Sequence, residues 1–203
     1  MPLAVRPYTS ADFDQLLRIQ VECFPPPYPQ QLLWSRGQIA SHEWIFPEGA
    51  LAAELDGELV GSATCTRRRH DPAHAQHTWA QVADAGWIRS CDPAGDTLYG
   101  IDVAVRPAWR GRGVARALYQ ARFALVRALA LARFQAGSRI SGYHQHADHL
   151  SAQAYVAEVV AGRLNDPVVT PQLRAGLRPV CLLPDYLSDA ESLNYALLME
   201  WTP

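Results

Sequence analysis

The sequence contains no lysine, so all 18 basic residues among its 203 residues are arginines. It also has no run of 18 apolar residues, and its formal net charge is −2. Without lysine the chain cannot form a Walker-type phosphate loop, which requires G-x-x-x-x-G-K-[ST]. The short apolar runs predict no membrane span, and the slightly negative charge argues against a nucleic-acid partner held by bulk charge.

The four cysteines lie far apart, and no two of them form a C-x-x-C pair (Cys23, Cys65, Cys91 and Cys181). The first ten residues lack the basic-then-apolar profile of a signal peptide. Together these features predict a cytoplasmic protein with free thiols. The sequence has no repeat, low-complexity tract or linker, so we expect a single domain over residues 1–203, with 49% apolar residues to build a core.

Apolar spacing, caps and turn residues predict alternating helices and strands in an α+β fold, with a mixed, mostly antiparallel twisted sheet flanked by helices. A tight turn at Asp56-Gly57 marks the clearest hairpin. The predicted strands are 3–7, the two arms of 50–68, 97–105, 138–143, 177–187 and 194–201. The predicted helices are 11–23, 30–42, 114–134, 151–164 and 170–176.

The stretch RPAWRGRGVA, residues 106–115, carries the strongest functional signal because it joins a predicted strand to a long predicted helix. The first amides of a helix lack internal partners, and the helix dipole favours anions there. Glycines let a phosphate approach those amides, and arginines add charge. A dinucleotide fingerprint fails, since its third small position falls on Arg116.

What fits is [Q/R]-x-x-G-x-[G/A], with Arg110, Gly113 and Ala115 in the defined positions. This pattern resembles the acetyl-CoA loop of the GNAT-superfamily N-acetyltransferases, and the order of predicted elements resembles the GNAT fold over nearly the whole chain. Segments such as RISGYH and ESLNYALLMEW further resemble a subgroup often fused ahead of a nitrilase-like carbon–nitrogen hydrolase domain. Because the chain ends at Pro203, we expect that second domain to be absent.

The resemblance implies acetyl-CoA as co-substrate and no metal. It places cofactor contacts on the strand, the loop, the start of the helix and one later asparagine. The residues implied are Val103, Ala104, Val105, Arg110, Gly111, Arg112, Gly113, Val114, Ala115 and Asn165, with backbone amides around Val103–Val105 stabilising an oxyanion. For Asn165, a turn at the end of a helix is the competing interpretation.

Asp102 is the candidate base, because it interrupts an apolar strand and many GNAT proteins carry an acidic residue there. It would take the proton of an alkylamine, directly or through a water; a structural hydrogen bond is the alternative. The tyrosine that many GNAT proteins use as an acid is replaced by Gln172. Tyr143, Tyr155 and Tyr186 are alternatives, and a thiol with a pKa near ~8.5 can also leave without a dedicated acid.

The string HQHADH, residues 144–149, has the spacing of the zinc ligands in metallo-β-lactamase-type hydrolases. No histidine follows His149, and Leu150-Ser151 replaces the glycine pair usual after that motif. The string therefore predicts a loop at the acceptor end of the site, where Tyr143 and His144 are candidate site residues. A separate group of histidines at positions 70, 74 and 77 has loose spacing and no cysteine partner, so no metal site is predicted there either.

These features predict transfer of the acetyl group of acetyl-CoA to a primary amine by direct attack in a ternary complex. The alternatives are a non-catalytic acyl-CoA-binding or sensor module and a zinc hydrolase built on residues 144–149. The expected partner is a small-molecule or peptide amine, with a homodimer and a separate nitrilase-like protein left open. Neither nucleic acid nor a membrane is expected.

Overall fold

A computed structural model describes residues 2–72 and 75–203, so the predicted role of His74 lies outside the described part of the chain. Seven strands form one mixed sheet in the order β1-β2-β3-β4-β5-β7-β6. The strands are β1 (Ala4–Pro7), β2 (Ala50–Leu55), β3 (Glu58–Arg68), β4 (Thr97–Val105), β5 (Arg133–Arg139), β6 (Arg178–Leu183) and β7 (Ala196–Trp201).

Helices cover both faces of this sheet, because successive residues of a strand point to opposite sides. Leu51 and Ala53 of β2 belong to a cluster with Leu118, whereas Ala52 belongs to the larger core that includes Leu16. The helices are α1 (Phe13–Cys23), α2 (Arg36–Ile45), α3 (Trp79–Ala83), α4 (Val114–Ala128), α5 (Ala152–Val160) and α6 (Val169–Arg174). None of the helices in the described ranges is long and apolar enough to span a bilayer.

The only parallel pair among the described strands is β4 with β5, and its ladder joins Thr97–Gly100 to Arg133–Ala136. Beyond that ladder, residues 101–105 of β4 and 137–139 of β5 form no pairs with each other, so the two strands separate. We call the space between these two segments the β4–β5 opening. On its other edge β4 carries an extra residue, Ile101, because Cys65 of β3 pairs with Gly100 and Thr64 with Asp102.

The second helix begins later than its predicted start at residue 30. Residues Gln30–Leu32 form one 3-10 turn, and Leu33 is extended. Ser35 caps α2, since its side chain accepts a hydrogen bond from the Gln38 amide while the Gln38 side chain bonds back to the Ser35 amide. This reciprocal cap fixes the start of α2 six residues after the predicted one.

The long helix ends at Ala128, earlier than its predicted end at residue 134. Ala130 adopts a left-handed conformation, and Leu131 donates its amide to the Val126 carbonyl, which closes the helix without the usual glycine. The chain then enters β5 at Arg133, so the predicted strand 138–143 was placed five residues too late. Packing of Phe134 in the core overrides the helical propensity of this alanine-rich stretch.

A buried hydrogen-bonded chain connects α2 to the sheet. His42 Nε2 lies 2.7 Å from the Gly86 carbonyl, so this nitrogen carries the proton. The other ring nitrogen lies 2.8 Å from the Tyr8 hydroxyl, which in turn is 2.9 Å from Thr64 Oγ1. Burial lowers the pKa of His42 to about 4, so the imidazole is neutral in the folded chain at neutral pH.

The stability of the fold should therefore fall as the pH drops from 6.5, the ordinary pKa of histidine, towards about 4. In that window the unfolded chain binds a proton on His42 that the folded chain excludes, and the loss amounts to about 3 kcal/mol. Denaturant unfolding at about pH 7 and about pH 5 samples the upper part of this window and should show a loss of about 2 kcal/mol.

His42→Gln should lower stability at neutral pH and reduce its dependence on pH within this window. The exposed His149→Gln is the matched control and should leave the dependence intact. An unchanged pH dependence in His42→Gln would show that His42 is not the group responsible.

Candidate active site

The loop between β4 and α4 leaves the amides at the start of the helix accessible. After a 3-10 turn at Pro107–Trp109, Gly111 and Gly113 adopt φ values of 74° and 85°, and Gly113 is the N-cap of α4. A Cβ atom built on either glycine meets nothing within 4 Å. The loop therefore combines the backbone conformation that favours glycine with open space in front of the helix amides, an arrangement suited to a phosphate.

Two arginines of the loop are held by neighbouring groups. Arg110 donates from Nε to the Val105 carbonyl at 3.1 Å, which ties the loop to the end of β4. The guanidinium of Arg112 lies 5.0 Å from the centre of the Trp109 ring. Both arginines are exposed, so their positive charge adds to that of the helix end.

A groove of about 780 Å³ continues from the loop between α4 and α6, with Ala115 at its start. Three arginines line it: Arg116, Arg127 and Arg174. At its floor the rings of Phe123 and Trp201 stack with centroids 4.1 Å apart. The cations and flat rings suit a nucleotide that carries phosphates. Asn165 lies exposed in the connection between α5 and α6 and is not among the described residues that line this groove.

The backbone of β4 presents donors to the β4–β5 opening. Arg106 donates its amide to Val60 of the neighbouring strand at 3.0 Å. Because hydrogen-bonded and non-bonded positions alternate along an antiparallel pair, the amides of Val105 and Val103 point away from β3 and into the opening. By the same alternation the Ala104 amide faces β3. Of the three residues whose amides were predicted to stabilise an oxyanion, Val103 and Val105 therefore direct theirs into the opening, and Ala104 does not.

Asp102 lies at the edge of the opening. Its Oδ1 accepts a hydrogen bond from the Thr64 amide at 2.7 Å. Its Oδ2 is buried and has no hydrogen-bond partner among the described residues, although the residue as a whole is half-buried. Burial raises the pKa of Asp102, while the charge of Arg122 and the hydrogen bond from Thr64 oppose that rise. The unpartnered oxygen can therefore accept a proton or bind a donor from a ligand.

Two stacked tryptophans lie beside Asp102 and the residue before it, and this role was not predicted from the sequence. The Trp34 indole N–H lies close enough to Asp102 to lower its pKa, yet its geometry falls short of a hydrogen bond, so Trp34 Nε1 has no partner in the described chain. Trp79, from the unpredicted α3, donates its indole N–H to the Ile101 carbonyl at 3.0 Å. The two indoles stack with centroids 5.9 Å apart. Trp79 therefore fixes the bulge that precedes Asp102.

A buried arginine on α4 supports the same strand from the opposite side of the sheet. The side chain of Arg122 donates to the carbonyls of Thr64, at 3.2 Å, and Asp102. Its guanidinium also lies 5.4 Å from the centre of the Phe134 ring. The sequence did carry a signal for this residue. Arg122 lies four residues from both Leu118 and Val126, so it interrupts an otherwise apolar face of the helix.

The other predicted site residues lie in the loop after β5. Tyr143 is buried, and its hydroxyl donates to the Leu150 carbonyl at 3.2 Å. His144 is exposed, and its Nδ1 lies 2.9 Å from the Glu191 carbonyl, so it ties this loop to the segment before β7. No hydrogen bond or ring contact among the described residues joins either side chain to Asp102.

Gln172 occupies the position of the tyrosine that the resemblance implies as the acid, and its side chain is hydrogen-bonded within the protein. Gln172 is buried on α6, and its Oε1 accepts a hydrogen bond from the Ser138 hydroxyl. An amide side chain has no proton acidic enough for a thiolate. The acid expected at this position by resemblance is therefore not supplied by Gln172.

The histidines of HQHADH do not converge as zinc ligands would. The rings of His146 and His149 are 5.5 Å apart between centroids, and His146 also packs against Tyr155. Among residues 2–72 and 75–203, no three histidine, cysteine or acidic side chains are close enough together to hold a metal ion. The described geometry thus gives no support to the zinc hydrolase alternative.

Comparison with known proteins places this loop and sheet in a family. The sequence model of the acetyltransferase (GNAT) family matches residues 13–150. The chain belongs to the GNAT family. It is 45% identical over 199 residues to the protein named uncharacterized N-acetyltransferase YkwB of Bacillus subtilis (strain 168), covering 98% of this chain and 88% of that protein. The predicted GNAT fold, with its mixed sheet and flanking helices, is confirmed.

Two further matches differ in what they cover. The probable hydrolase YhcX of Bacillus subtilis (strain 168) is 36% identical over 200 residues, which span 98% of this GNAT chain and 38% of that protein. Among solved structures, the GphF GNAT-like decarboxylase in complex with isobutyryl-CoA superposes with a TM-score of 0.78 at 22% identity, covering 98% of both chains. At that identity the structural match supports the fold alone.

A side chain at position 113 would fill the open space in the loop between β4 and α4. Gly113→Leu should abolish binding of acetyl-CoA, because its side chain would occupy the space in front of the α4 amides. The left-handed backbone should cost about 1–2 kcal/mol of stability without unfolding the chain. Isothermal titration with acetyl-CoA measures the binding.

Gly57→Leu is the matched control, because Gly57 has a φ of 81° and equally open surroundings in the β2–β3 turn. It should lose similar stability and keep its affinity. Unchanged affinity in Gly113→Leu would contradict the assignment of the loop.

Proposed function

We propose that this chain transfers the acetyl group of acetyl-CoA to a primary amine by direct attack in a ternary complex. One observation supports the proposal: at the β4–β5 opening, β4 carries inward-facing amides and a carboxylate with an unpartnered oxygen, and it leads into a glycine loop with open space in front of the helix amides. The loop and groove would hold the nucleotide, and the opening would admit the thioester arm. Membership of the GNAT family supports this assignment.

The backbone of β4 would stabilise the charge that develops on the carbonyl oxygen. The amides of Val103 and Val105 face the opening and have no partner on β5, which pairs with β4 only up to Gly100. Fixed N–H donors aimed at a developing oxyanion stabilise the transition state more than the ground state. Arg122 holds the carbonyl of Asp102, the residue before Val103, and so keeps this stretch of strand in place.

Asp102 would serve as the base for the incoming amine. An alkylamine with a pKa near ~10.4 is mostly protonated at neutral pH, and deprotonating it costs roughly 4–5 kcal/mol. The unpartnered Oδ2 of Asp102 can take that proton directly or through a water. Its raised pKa makes it a stronger base than an exposed aspartate, since burial disfavours its charged form.

A non-catalytic acyl-CoA-binding or sensor module is the second candidate. The observation that favours it is Gln172, whose bonded amide replaces the tyrosine expected as the acid. Such a module would bind an acyl-CoA with the same loop and groove but would catalyse no acyl transfer. The two candidates therefore differ in turnover and share cofactor binding.

The proposed reaction also implies binding partners for this chain. A small-molecule or peptide amine is the acceptor that the reaction requires. A separate nitrilase-like partner is also proposed, on the subgroup resemblance of segments such as RISGYH and ESLNYALLMEW. A homodimer is also proposed, and size-exclusion chromatography with light scattering would test it.

Release of free CoA from acetyl-CoA over a panel of amines distinguishes the two candidates. Amine-dependent release, with acetylated product found by mass spectrometry, would establish the transferase. Thermal stabilisation by acetyl-CoA without turnover on any amine would favour the binding module. Reactions that contain acetyl-CoA and no amine serve as the blank, because they report the CoA that hydrolysis alone releases.

Asp102→Asn should lower kcat about a hundredfold while leaving the affinity for acetyl-CoA unchanged, because it removes the base and keeps the side-chain shape. The pH profile of kcat/KM in the wild type should show an acid limb above the ordinary aspartate pKa, since burial raises that of Asp102.

In the variant the rate should instead follow deprotonation of the free amine, so that the deficit is largest at low pH. The exposed Asp148→Asn is the control and should behave as the wild type. A variant rate equal to that of the wild type across the pH range would remove Asp102 from the mechanism.

A further inference from the structure

The proposed transfer ends with cleavage of the carbon–sulfur bond, which leaves an electron pair and a negative charge on sulfur. A neutral O–H group close to that sulfur would donate a proton as the bond breaks. In this GNAT chain the expected position holds Gln172, so an acid would have to come from another residue. Such a residue would complete the proposed function, on which its assignment rests.

The three tyrosines considered from the sequence already have partners for their hydroxyl groups. Tyr143 donates to the Leu150 carbonyl, and Tyr155 donates to Asp166 Oδ2 at 2.9 Å. Tyr186 shares a hydrogen bond with Tyr99 at 3.2 Å. Using any of them as an acid would break a buried hydrogen bond.

Tyr28, in the connection between α1 and α2, differs from these three. Its hydroxyl forms no hydrogen bond within residues 2–72 and 75–203. Its ring is half-buried and makes two contacts: it stacks on Phe24 with centroids 4.8 Å apart, and the Arg139 guanidinium lies 5.1 Å from its centre. The ring is therefore fixed while the hydroxyl is uncommitted.

The contact with Arg139 places Tyr28 at the β4–β5 opening. Arg139 is the last residue of β5, in the segment that has parted from β4. It shares a strand face with Gly137, against which Tyr186 packs, and it forms an ion pair with the buried Asp189 at 2.8 Å. Asp102 lies on β4, across the opening from Arg139, and its charge raises the pKa of the Tyr28 hydroxyl.

The chemical state of Tyr28 suits proton donation. The pKa of the Tyr28 hydroxyl is raised to about 12, mainly by burial; the charge of Arg139 opposes this rise, and the charges of Asp102 and Asp189 add to it. The phenol is therefore neutral at neutral pH and carries the proton that a leaving thiolate needs. Arg139 would stabilise the tyrosinate that forms until it is protonated again from solvent.

We infer that Tyr28 is the catalytic acid of this enzyme: as the carbon–sulfur bond breaks and its electron pair passes to sulfur, the Tyr28 hydroxyl donates its proton to yield the free thiol of CoA. The proton that Asp102 removes from the ammonium before the attack passes on to solvent. The amine nitrogen keeps its new bond to the acetyl carbon, and the second proton that it then loses goes to the freed carboxylate of Asp102. The charges balance, and no further reactant is needed.

Tyr28→Phe isolates the hydroxyl, because the stacking on Phe24 and the contact with Arg139 both survive the substitution. Stability and acetyl-CoA affinity should stay unchanged, since no hydrogen bond is lost. With an accepted amine, kcat should fall about a hundredfold. Tyr195→Phe, which likewise removes a half-buried hydroxyl, is the matched control and should match the wild type.

A titration of bound CoA tests the inference without any amine, and so separates it from the proposed function. A hydrogen bond from Tyr28 to sulfur should lower the thiol pKa of bound CoA from about 8.5 to about 7.5, and Tyr28→Phe should restore it. Thiolate absorbance during a pH titration reports this value. Equal thiol pKa values in wild type and Tyr28→Phe would overturn the inference, even if amine transfer is observed.

If the pKa shift appears but no amine is acetylated, Tyr28 is confirmed as the donor to sulfur and the proposed acceptor chemistry fails instead. If CoA does not bind to the wild type at all, both the inference and the proposed function are wrong.

Discussion

The ladder between β4 and β5 ends at Gly100 and Ala136, and the site depends on that separation. A sheet that continued to pair would use the amides of Val103 and Val105 in its own hydrogen bonds. Because the strands part, those amides face a space that a thioester can enter, and the same strand leads directly into the loop at Gly111 and Gly113. The proposed binding of the nucleotide and the proposed polarisation of the carbonyl thus both depend on one interruption in strand pairing.

Holding such an interruption open requires support from both faces of the sheet. Arg122 contacts β4 from α4, and Trp79 bonds the Ile101 carbonyl on the same strand. These contacts fix the bulge and hold Asp102 with a buried oxygen that has no partner. An unpaired buried acceptor costs about 1–3 kcal/mol, so this arrangement is expensive unless a ligand or a proton satisfies it. The structure tolerates that cost where the chemistry is proposed to occur.

The loop, β4, its helix and the family were predictable from the sequence, because glycine spacing at Gly111 and Gly113 reports directly on backbone conformation. The ends of α4 and β5 were not, since Ala130 adopts a left-handed conformation that alanine rarely takes. Tyr28 and Trp79 were also missed. Both lie outside regular periodic segments, in a proline-rich connection and a five-residue helix, and only tertiary packing brings them to Asp102.

The central claim is that the thioester of acetyl-CoA lies in the β4–β5 opening against the amides of Val103 and Val105. Backbone amide chemical shifts recorded by NMR during a titration with acetyl-CoA test it most directly. The account predicts the largest changes at Val103 and Val105, and at Gly111 to Ala115, with small changes at Ala104. Changes confined to other strands, with Val103 and Val105 unaffected at saturation, would contradict it.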